Sequence, residues 1–287
     1  MSGAPEFGAE WSASLRRGSD AELRGWVETA LSWCEETDAI AMTAFRAAPR
    51  TTQKPDGSFV TAADTSIESL IRDRVAAAFP DHGVVGEEYG IDRPGSSVRW
   101  IVDPIDGTHN FMRGVPIFAT LIAIEREGEL QAGVMSAPAL RTRWYAWRGG
   151  GAWVIEHGSG PRRLHVTEIH DLGDASISTS STSELDGSGM TPGYAALARA
   201  VWRERGYGDF WSYGLLADGA IDVMVETDLS AWDIAAPAVV VEEAGGRVTT
   251  LEGRREFGGG AYLATNGPLH EAVRSMLVTA PEGGESR

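Results

Sequence analysis

The stretch Arg99-Trp-Ile-Val-Asp-Pro-Ile-Asp-Gly-Thr-His-Asn-Phe111 decides the fold, because it joins a buried strand to an acidic turn. The apolar run Trp100–Val102, with its β-branched pair, predicts the strand. The proline and glycine that follow are unfavourable within a strand and predict that it stops there. A rigid strand end therefore presents Asp103 and Asp106 around a tight turn.

The same turn carries residues that favour the start of a helix. Asp106, Thr108 and Asn110 are of this kind, so free backbone N–H groups are expected to point at the place where the carboxylates lie. Carboxylates facing N–H donors suit a site that holds a hard cation and a phosphate together. The simpler interpretation is an Asp-rich turn that only caps a helix.

Composition narrows the class of protein. The 287 residues, of which 43% are hydrophobic, suffice for one large domain or for two moderate ones that share a core. The net charge of −16 argues against a nucleic-acid partner, because such binding relies on Lys and Arg. No apolar run is long enough to predict a membrane span. The single cysteine, Cys34, and an N-terminus unlike a signal peptide favour a cytoplasmic protein.

The hydrophobic pattern changes near residue 158. Residues 1–19 are expected to form a flexible tail. Residues 20–158 combine helices with strands in an antiparallel meander, which predicts an α+β half that contains the acidic turn. Residues 159–287 alternate short strands with helices, which predicts an α/β half that completes the site.

Individual elements follow from the same patterns. One long helix is predicted over 20–47, and residues 49–58 have the composition of a loop. Lys54 in this loop is either a phosphate contact or a solvated side chain, and the second role is the more common. In the second half, residues 178–190 are predicted to form a polar loop and residues 200–203 a strand.

Three further acidic residues lie at a strand end or at helix starts. Asp64 falls in the first turn of a predicted helix, and Asp233 opens an apolar helix. Each alone is ambiguous, because the helix dipole favours an acid in the first turn in any case. Glu87 lies between Gly86 and Gly90, which is unusual for a solvated turn and leaves the backbone free to swing a carboxylate inward.

If these acids converge, several negative charges share a small volume. Like charges so close cost several kcal/mol unless they are protonated or neutralised. Divalent cations are the simplest remedy, and the all-oxygen donor set, which the Ile105 carbonyl could extend, favours Mg²⁺ or Mn²⁺ over Zn²⁺. Two or three such ions would also hold a phosphate dianion, which is the arrangement for attack of water on a phosphoryl group.

Three motifs together resemble the signatures of the inositol monophosphatase family. They are Gly86-Glu-Glu, Trp100-Ile-Val-Asp-Pro-Ile-Asp-Gly-Thr108 and Trp232-Asp-Ile-Ala-Ala-Pro…Glu-Ala-Gly-Gly246. The likeness runs from about Asp20 to Leu277, which is nearly the whole chain. It implies a layered αβαβα sandwich, a homodimer and Mg²⁺-dependent phosphomonoesterase activity.

The resemblance also implies roles for individual residues. The implied metal ligands are Glu87, Asp103, the Ile105 carbonyl, Asp106 and Asp233, with Asp64 near a further metal. The implied catalytic set is Asp64, Glu87, Asp106 and Thr108. Thr108 and Asp64 orient and deprotonate the water for in-line attack, the metal stabilises the leaving alkoxide, and the N–H groups of Gly107 and Thr108 hold the phosphate.

The nature of the ester depends on the residues that face the substrate alcohol. Glu226, seven residues before Asp233, matches the family's contact to that alcohol, and Asp233 is expected to contact the substrate as well. Inositol phosphatases carry this glutamate too. Tyr207-Gly-Asp-Phe210 resembles the bacterial histidinol-phosphatase branch, whereas inositol phosphatases look small and neutral at the place of Asp209. An anionic rim suits the ammonium and imidazole of histidinol, through a charge-assisted bond of roughly 1.5–3 kcal/mol. The alternative role for Asp209 is a plain helix N-cap.

The sequence therefore predicts a Mg²⁺-dependent histidinol-phosphatase of histidine biosynthesis. The same rim should repel a second phosphate on a substrate. An inositol-1-monophosphatase or a broad-specificity sugar or nucleotide phosphatase is the first alternative, and a non-catalytic binding protein of the same fold is the second. His109, which follows the metal turn, is either a substrate contact or solvent-exposed.

Overall fold

The computed structural model describes residues 20–47, 51–53 and 59–278. The predicted tail 1–19 and Lys54 lie outside these residues. Part of the loop predicted over 49–58 is a strand instead, because β1 (Thr51–Gln53) pairs antiparallel with β2 (Phe59–Thr61). The β-branched threonines in both segments suit such a ladder.

An eight-stranded sheet forms the centre of the first half. Its strands are β3 (Gly83–Gly86), β4 (Gly90–Asp92), β5 (Val98–Asp106), β6 (Ala119–Arg126), β7 (Glu129–Ala137), β8 (Thr142–Trp147), β9 (Gly151–Glu156) and β10 (Arg162–Arg163). Their order is β10-β9-β8-β7-β6-β5-β3-β4, and only β3 and β5 pair in parallel. The predicted antiparallel meander is confirmed. Because β10 belongs to this sheet, the sheet extends past residue 158, and the division into two halves stays a prediction.

A five-stranded mixed sheet follows. Its strands are β11 (Ser176–Thr179), β12 (Arg203–Glu204), β13 (Val223–Leu229), β14 (Arg247–Thr250) and β15 (Gly260–Thr265). In the order β12-β11-β13-β15-β14, β11 is parallel to both of its neighbours, whereas β15 is antiparallel to both of its own. Parallel pairs need helical crossovers, and the alternation of strands with helices supplies them.

The α-helices of the described residues lie on both faces of the sheets. They are α1 (Asp20–Arg46), α2 (Ala62–Ala78), α3 (Thr108–Arg113), α4 (Thr182–Gly187), α5 (Thr191–Ala200), α6 (Asp209–Ala217), α7 (Ala231–Glu243) and α8 (His270–Val278).

Three apolar cores separate the layers. The first packs α1 and α2 against one face of the eight-stranded sheet, around Trp100. The second packs α6 and α7 between the two sheets, with Trp144 and Met224 on opposite sides. The third packs α5 and α8 against the outer face of the second sheet, around Val225. These layers form an αβαβα sandwich, so the predicted fold class is confirmed.

Helix α7 lies directly against the first sheet. A Cβ atom at Gly133 of β7 would be 2.6 Å from the carbonyl oxygen of Ala236, so only glycine permits this approach. Small residues on both sides bring the helix backbone onto the sheet, which fixes the position of the N-terminal turn of α7.

Two predicted elements are wrong in detail. The polar loop predicted over 178–190 contains the helix α4, because Leu185 is buried in the third core and anchors one side of it. The strand predicted over 200–203 begins only at Arg203, because α5 continues through Ala200.

Candidate active site

The acidic turn lies at the end of β5 and is held by its own backbone. β5 runs across the proline through a β-bulge between Asp103 and Asp106, rather than stopping after Val102 as predicted. A bulge accommodates Pro104 because the ring nitrogen has no N–H to donate to the strand ladder. Oδ1 of Asp103 accepts the Ile105 N–H at 2.9 Å, so the buried carboxylate folds back over its own turn.

Asp233 joins this pair from α7. It is the third residue of the helix, where its Oδ2 accepts the Ser230 N–H at 2.7 Å within a capping box. One carboxylate oxygen from each of Asp103, Asp106 and Asp233 lies within 4.8 Å of the other two. The structure thus brings the predicted site residue Asp233 to Asp103 and Asp106, from which it is distant in sequence.

Asp64 approaches the cluster from α2 with one oxygen engaged. Its Oδ2 accepts the Thr61 N–H at 2.8 Å and caps the helix. Its Oδ1 is buried and has no hydrogen-bond partner among the described residues. A buried carboxylate oxygen without a partner costs free energy until a ligand completes it. Asp64 therefore combines a helix cap with a buried oxygen that no protein group of the described residues engages.

Glu87 lies in the turn after β3. Its backbone N–H donates to the Val102 carbonyl at 3.3 Å, which ties the turn to β5. Burial raises the pKa of Asp103 well above its usual value, and the charge of Glu87 is the next largest cause. Asp106, Asp233 and Asp64 raise the Asp103 pKa in the same direction. The predicted acids therefore act on one small volume.

This donor set fits a hard divalent cation. All of its atoms are oxygens, one of them is orphaned at Asp64, and burial with mutual repulsion disfavours the charged state of Asp103 and Asp106. A cation of the Mg²⁺ type relieves all three features, because it binds oxygen and brings positive charge into the cluster.

The residues after the acidic turn form the short helix α3. Gly107 precedes it with a φ of 77°, and a Cβ there would lie 2.9 Å from the Ile117 carbonyl, so glycine is required. The Thr108 hydroxyl donates to the Ile105 carbonyl at 3.0 Å. The Thr108 hydroxyl predicted to orient water and the Ile105 backbone carbonyl predicted to bind the metal are therefore hydrogen-bonded to each other. His109 is exposed, as one of its two predicted roles requires.

Asp209 faces this helix from the second half of the chain. Its Oδ2 accepts the amide N–H of Asn110 at 3.0 Å, while the backbone N–H of Phe210 donates to Asp106 at 2.9 Å. The N-cap of α6 is Gly208, so the alternative role of Asp209 as a helix cap is wrong. Burial, followed by the charge of Glu184, raises the pKa of Asp209 to about 6.

Together with Asp209, Glu226 forms an anionic rim beside the cluster of Asp103, Asp106 and Asp233. It is buried on β13, and burial and the charge of Asp209 raise its pKa to about 8. The buried phenol of Tyr213 lies next to it, and the charge of Glu226 contributes to raising the Tyr213 pKa. Glu184 of α4 also raises the Glu226 pKa and is a third acid of this rim.

Glu184 was missed in the sequence, although a signal was present. Ser181-Thr-Ser-Glu184 has the pattern of a capping box, which marks a helix start within the predicted loop. Ser181 is indeed the N-cap of α4, although its side chain makes no capping bond. The Ser180 hydroxyl donates to the Glu184 carboxylate at 3.1 Å instead.

We expect Mg²⁺ to raise the melting temperature more at about pH 8 than at about pH 5.5. Burial, the main cause, raises the pKa of Asp64 and Asp209 to about 6 and that of Glu226 to about 8. The folded protein then holds protons that the unfolded chain has released, so without metal it loses stability as the pH rises through these values. At low pH the same protons compete with the cation. Thermal melts with Mg²⁺ or EDTA measure both effects, and equal shifts at the two pH values would contradict this prediction.

Comparisons with known proteins identify relatives of this chain. A model of the inositol monophosphatase family matches residues 22–281. The histidinol-phosphatase of Mycobacterium tuberculosis is 45% identical over 86% of this chain and 96% of that protein. The histidinol-phosphatase of Streptomyces coelicolor is 43% identical over 85% of this chain and 93% of that protein. A solved IMPase of Thermotoga maritima has a TM-score of 0.78 at 28% identity, over 88% of this chain and 96% of that chain.

No helix within the described ranges is both long enough and apolar enough to cross a membrane.

Proposed function

This chain belongs to the inositol monophosphatase family, and we propose that it hydrolyses L-histidinol phosphate to L-histidinol and inorganic phosphate with the help of Mg²⁺. The observation that carries the choice of substrate is the anionic rim of Asp209 and Glu226 beside the cluster of Asp103, Asp106 and Asp233. A phosphate held at the cluster places its alcohol against the rim.

We propose the residues that hold the cation from this geometry together with the family resemblance. They are Glu87, Asp103, the Ile105 carbonyl, Asp106 and Asp233, with Asp64 serving a further ion. We propose two or three Mg²⁺ ions, for which Mn²⁺ is a substitute, because this many acids need several positive charges for neutrality. When bound, Mg²⁺ offsets the charge of the carboxylates and of the phosphate and makes water a better nucleophile.

Side chains and backbone N–H groups of the chain orient the attacking water, accept its proton and bind the phosphate. The Thr108 hydroxyl donates a hydrogen bond to the Ile105 carbonyl. The Thr108 oxygen can therefore accept a hydrogen bond from the attacking water. Asp64 lies close to the cluster with its buried Oδ1 unengaged by the described residues of the protein, and the proton of the attacking water passes toward this residue. The N–H groups of Gly107 and Thr108 hold the phosphate for in-line attack.

The rim favours a cationic alcohol over a neutral one. L-Histidinol carries an ammonium and an imidazole, and each can donate a charge-assisted hydrogen bond to Asp209 or Glu226. Inositol offers only hydroxyls, which gain less from the same carboxylates. A second phosphate on the substrate would lie against the acids of this rim, and their negative charge would repel it.

A direct comparison of substrates tests the proposal. We expect phosphate release from L-histidinol phosphate to exceed that from inositol 1-phosphate at least about tenfold in kcat/KM, which corresponds to one charge-assisted bond. EDTA should abolish both reactions. A preference for inositol 1-phosphate would establish the inositol-1-monophosphatase alternative, and the absence of any turnover would establish the non-catalytic one.

Three further expectations belong to this proposal. A homodimer is expected from family resemblance alone. A cytoplasmic location accords with Cys34, which is a free, buried thiol. The net charge of −16 supports a small phosphate ester rather than a nucleic acid as the partner.

A further inference from the structure

Helix α2 presents a second buried carboxylate below Asp64. Glu68 lies one helical turn after Asp64, and Arg72 lies one turn further on, so the three residues share a face of the helix. The Glu68 side chain is completely buried. Its carboxylate forms hydrogen bonds with the turn that contains Glu87.

The Glu68 carboxylate accepts hydrogen bonds from the backbone of that turn. Its Oε2 accepts the Glu88 N–H at 2.7 Å, and its Oε1 accepts the Tyr89 N–H at 3.1 Å. The approach is so close that a Cβ at Gly86 would lie 2.1 Å from Oε1. A side chain at Gly86 would therefore displace the Glu68 carboxylate from this position.

Arg72 holds both the carboxylate and the far side of the turn. Its Nε and Nη2 lie 2.8 and 2.7 Å from Oε1 of Glu68. Nη2 also donates to the Gly90 carbonyl, and the guanidinium lies 5.8 Å from the centre of the Tyr89 ring. One arginine thus fixes the carboxylate, the turn backbone and an exposed aromatic ring together.

We propose that Glu68 is a positioning residue whose carboxylate, held by Arg72, fixes the turn 87–89 so that Glu87 joins the metal ligands. The inference rests on the proposed function, since it takes Glu87 to bind the cation. A carboxylate is needed because both oxygens face donors, whereas an amide would turn its NH₂ group toward one of them and leave that donor unpaired.

The substitution Glu68→Gln tests this role. We expect Mn²⁺ binding, measured by titration calorimetry, to weaken about 10–100-fold, as is typical when a supporting contact of a metal ligand is lost. The Mg²⁺ concentration for half-maximal activity should rise by a similar factor, while kcat at saturating Mg²⁺ changes little. A purely structural role would lower the melting temperature without changing the affinity for Mn²⁺. Glu36→Gln is the matched control, because Glu36 of α1 forms an exposed ion pair with Arg74, which lies on α2 as Glu68 does.

Each outcome decides the inference. Unchanged Mn²⁺ affinity in folded Glu68→Gln protein would overturn it. Should that variant fail to fold, Arg72→Gln removes the clamp and keeps the Glu68 oxygens; weaker Mn²⁺ binding then supports the inference, and unchanged binding overturns it. Absence of Mn²⁺ binding by the unaltered protein would overturn the proposed function as well.

Discussion

The substitution Asp106→Asn is expected to lower kcat/KM for L-histidinol phosphate by more than about 100-fold, since loss of even a supporting contact of a metal ligand costs 10–100-fold. The asparagine oxygen can still accept the Phe210 N–H that Asp106 accepts at 2.9 Å. The shape of the turn is therefore kept, while the negative charge that attracts the cation is lost. Steady-state kinetics over a range of Mg²⁺ concentrations measures the effect.

The same substitution should raise the melting temperature of the metal-free protein. Burial and the charges of Asp209 and Asp233 raise the pKa of Asp106 well above its usual value. A carboxyl with a raised folded-state pKa destabilises the folded protein at neutral pH, and removing its charge removes that penalty. Asp92→Asn, at an exposed position of β4, is the control for loss of one negative charge. Full activity of Asp106→Asn, or a lower melting temperature without metal, would contradict this account of the cluster.

The substitution Asp209→Asn should separate recognition of the alcohol from hydrolysis. We expect kcat/KM for L-histidinol phosphate to fall about 10–100-fold, the range that corresponds to one charge-assisted hydrogen bond. The asparagine oxygen can still accept the amide N–H of Asn110, so the rim keeps its shape. Inositol 1-phosphate, which carries no positive charge, should be hydrolysed at an unchanged or higher rate.

The matched control is Asp218→Asn at the opposite end of α6, where Asp218 pairs with the exposed Arg162. It should leave both substrates unaffected. Equal losses for the two substrates with Asp209→Asn would mean that Asp209 supports the cluster in general and does not select the alcohol.

The site was readable from the sequence where the residues occur in compact motifs. The acids of the β5 turn and of α7 lie next to glycines, prolines and helix starts. Local sequence rules therefore predict the strand end or the helix start at which each acid lies. What the motifs alone do not show is that Asp233 lies within 4.8 Å of the turn, since this follows from packing α7 onto Gly133. Resemblance to a family supplied that step.

The missed residues depend mainly on tertiary contacts. Glu68 is an ordinary acidic residue of α2 in the sequence, and its role follows only from the position of the turn 87–89. Glu184 lies in a segment whose serines and glycines resemble a loop; its capping-box pattern marks a helix start, and burial of Leu185 in the third core stabilises the helix there. The bulge at Pro104 likewise depends on pairing with β6. In each case tertiary packing outweighs local propensity.

The two sheets of the sandwich contribute different parts of the proposed catalytic centre. Asp103 and Asp106 belong to the first sheet, Glu226 belongs to the second, and α7 lies between the sheets with Asp233 at its start. A chain that has assembled only one of the two sheets lacks part of this set of acids. A partly folded molecule that lacks either sheet is therefore expected not to hydrolyse phosphate esters.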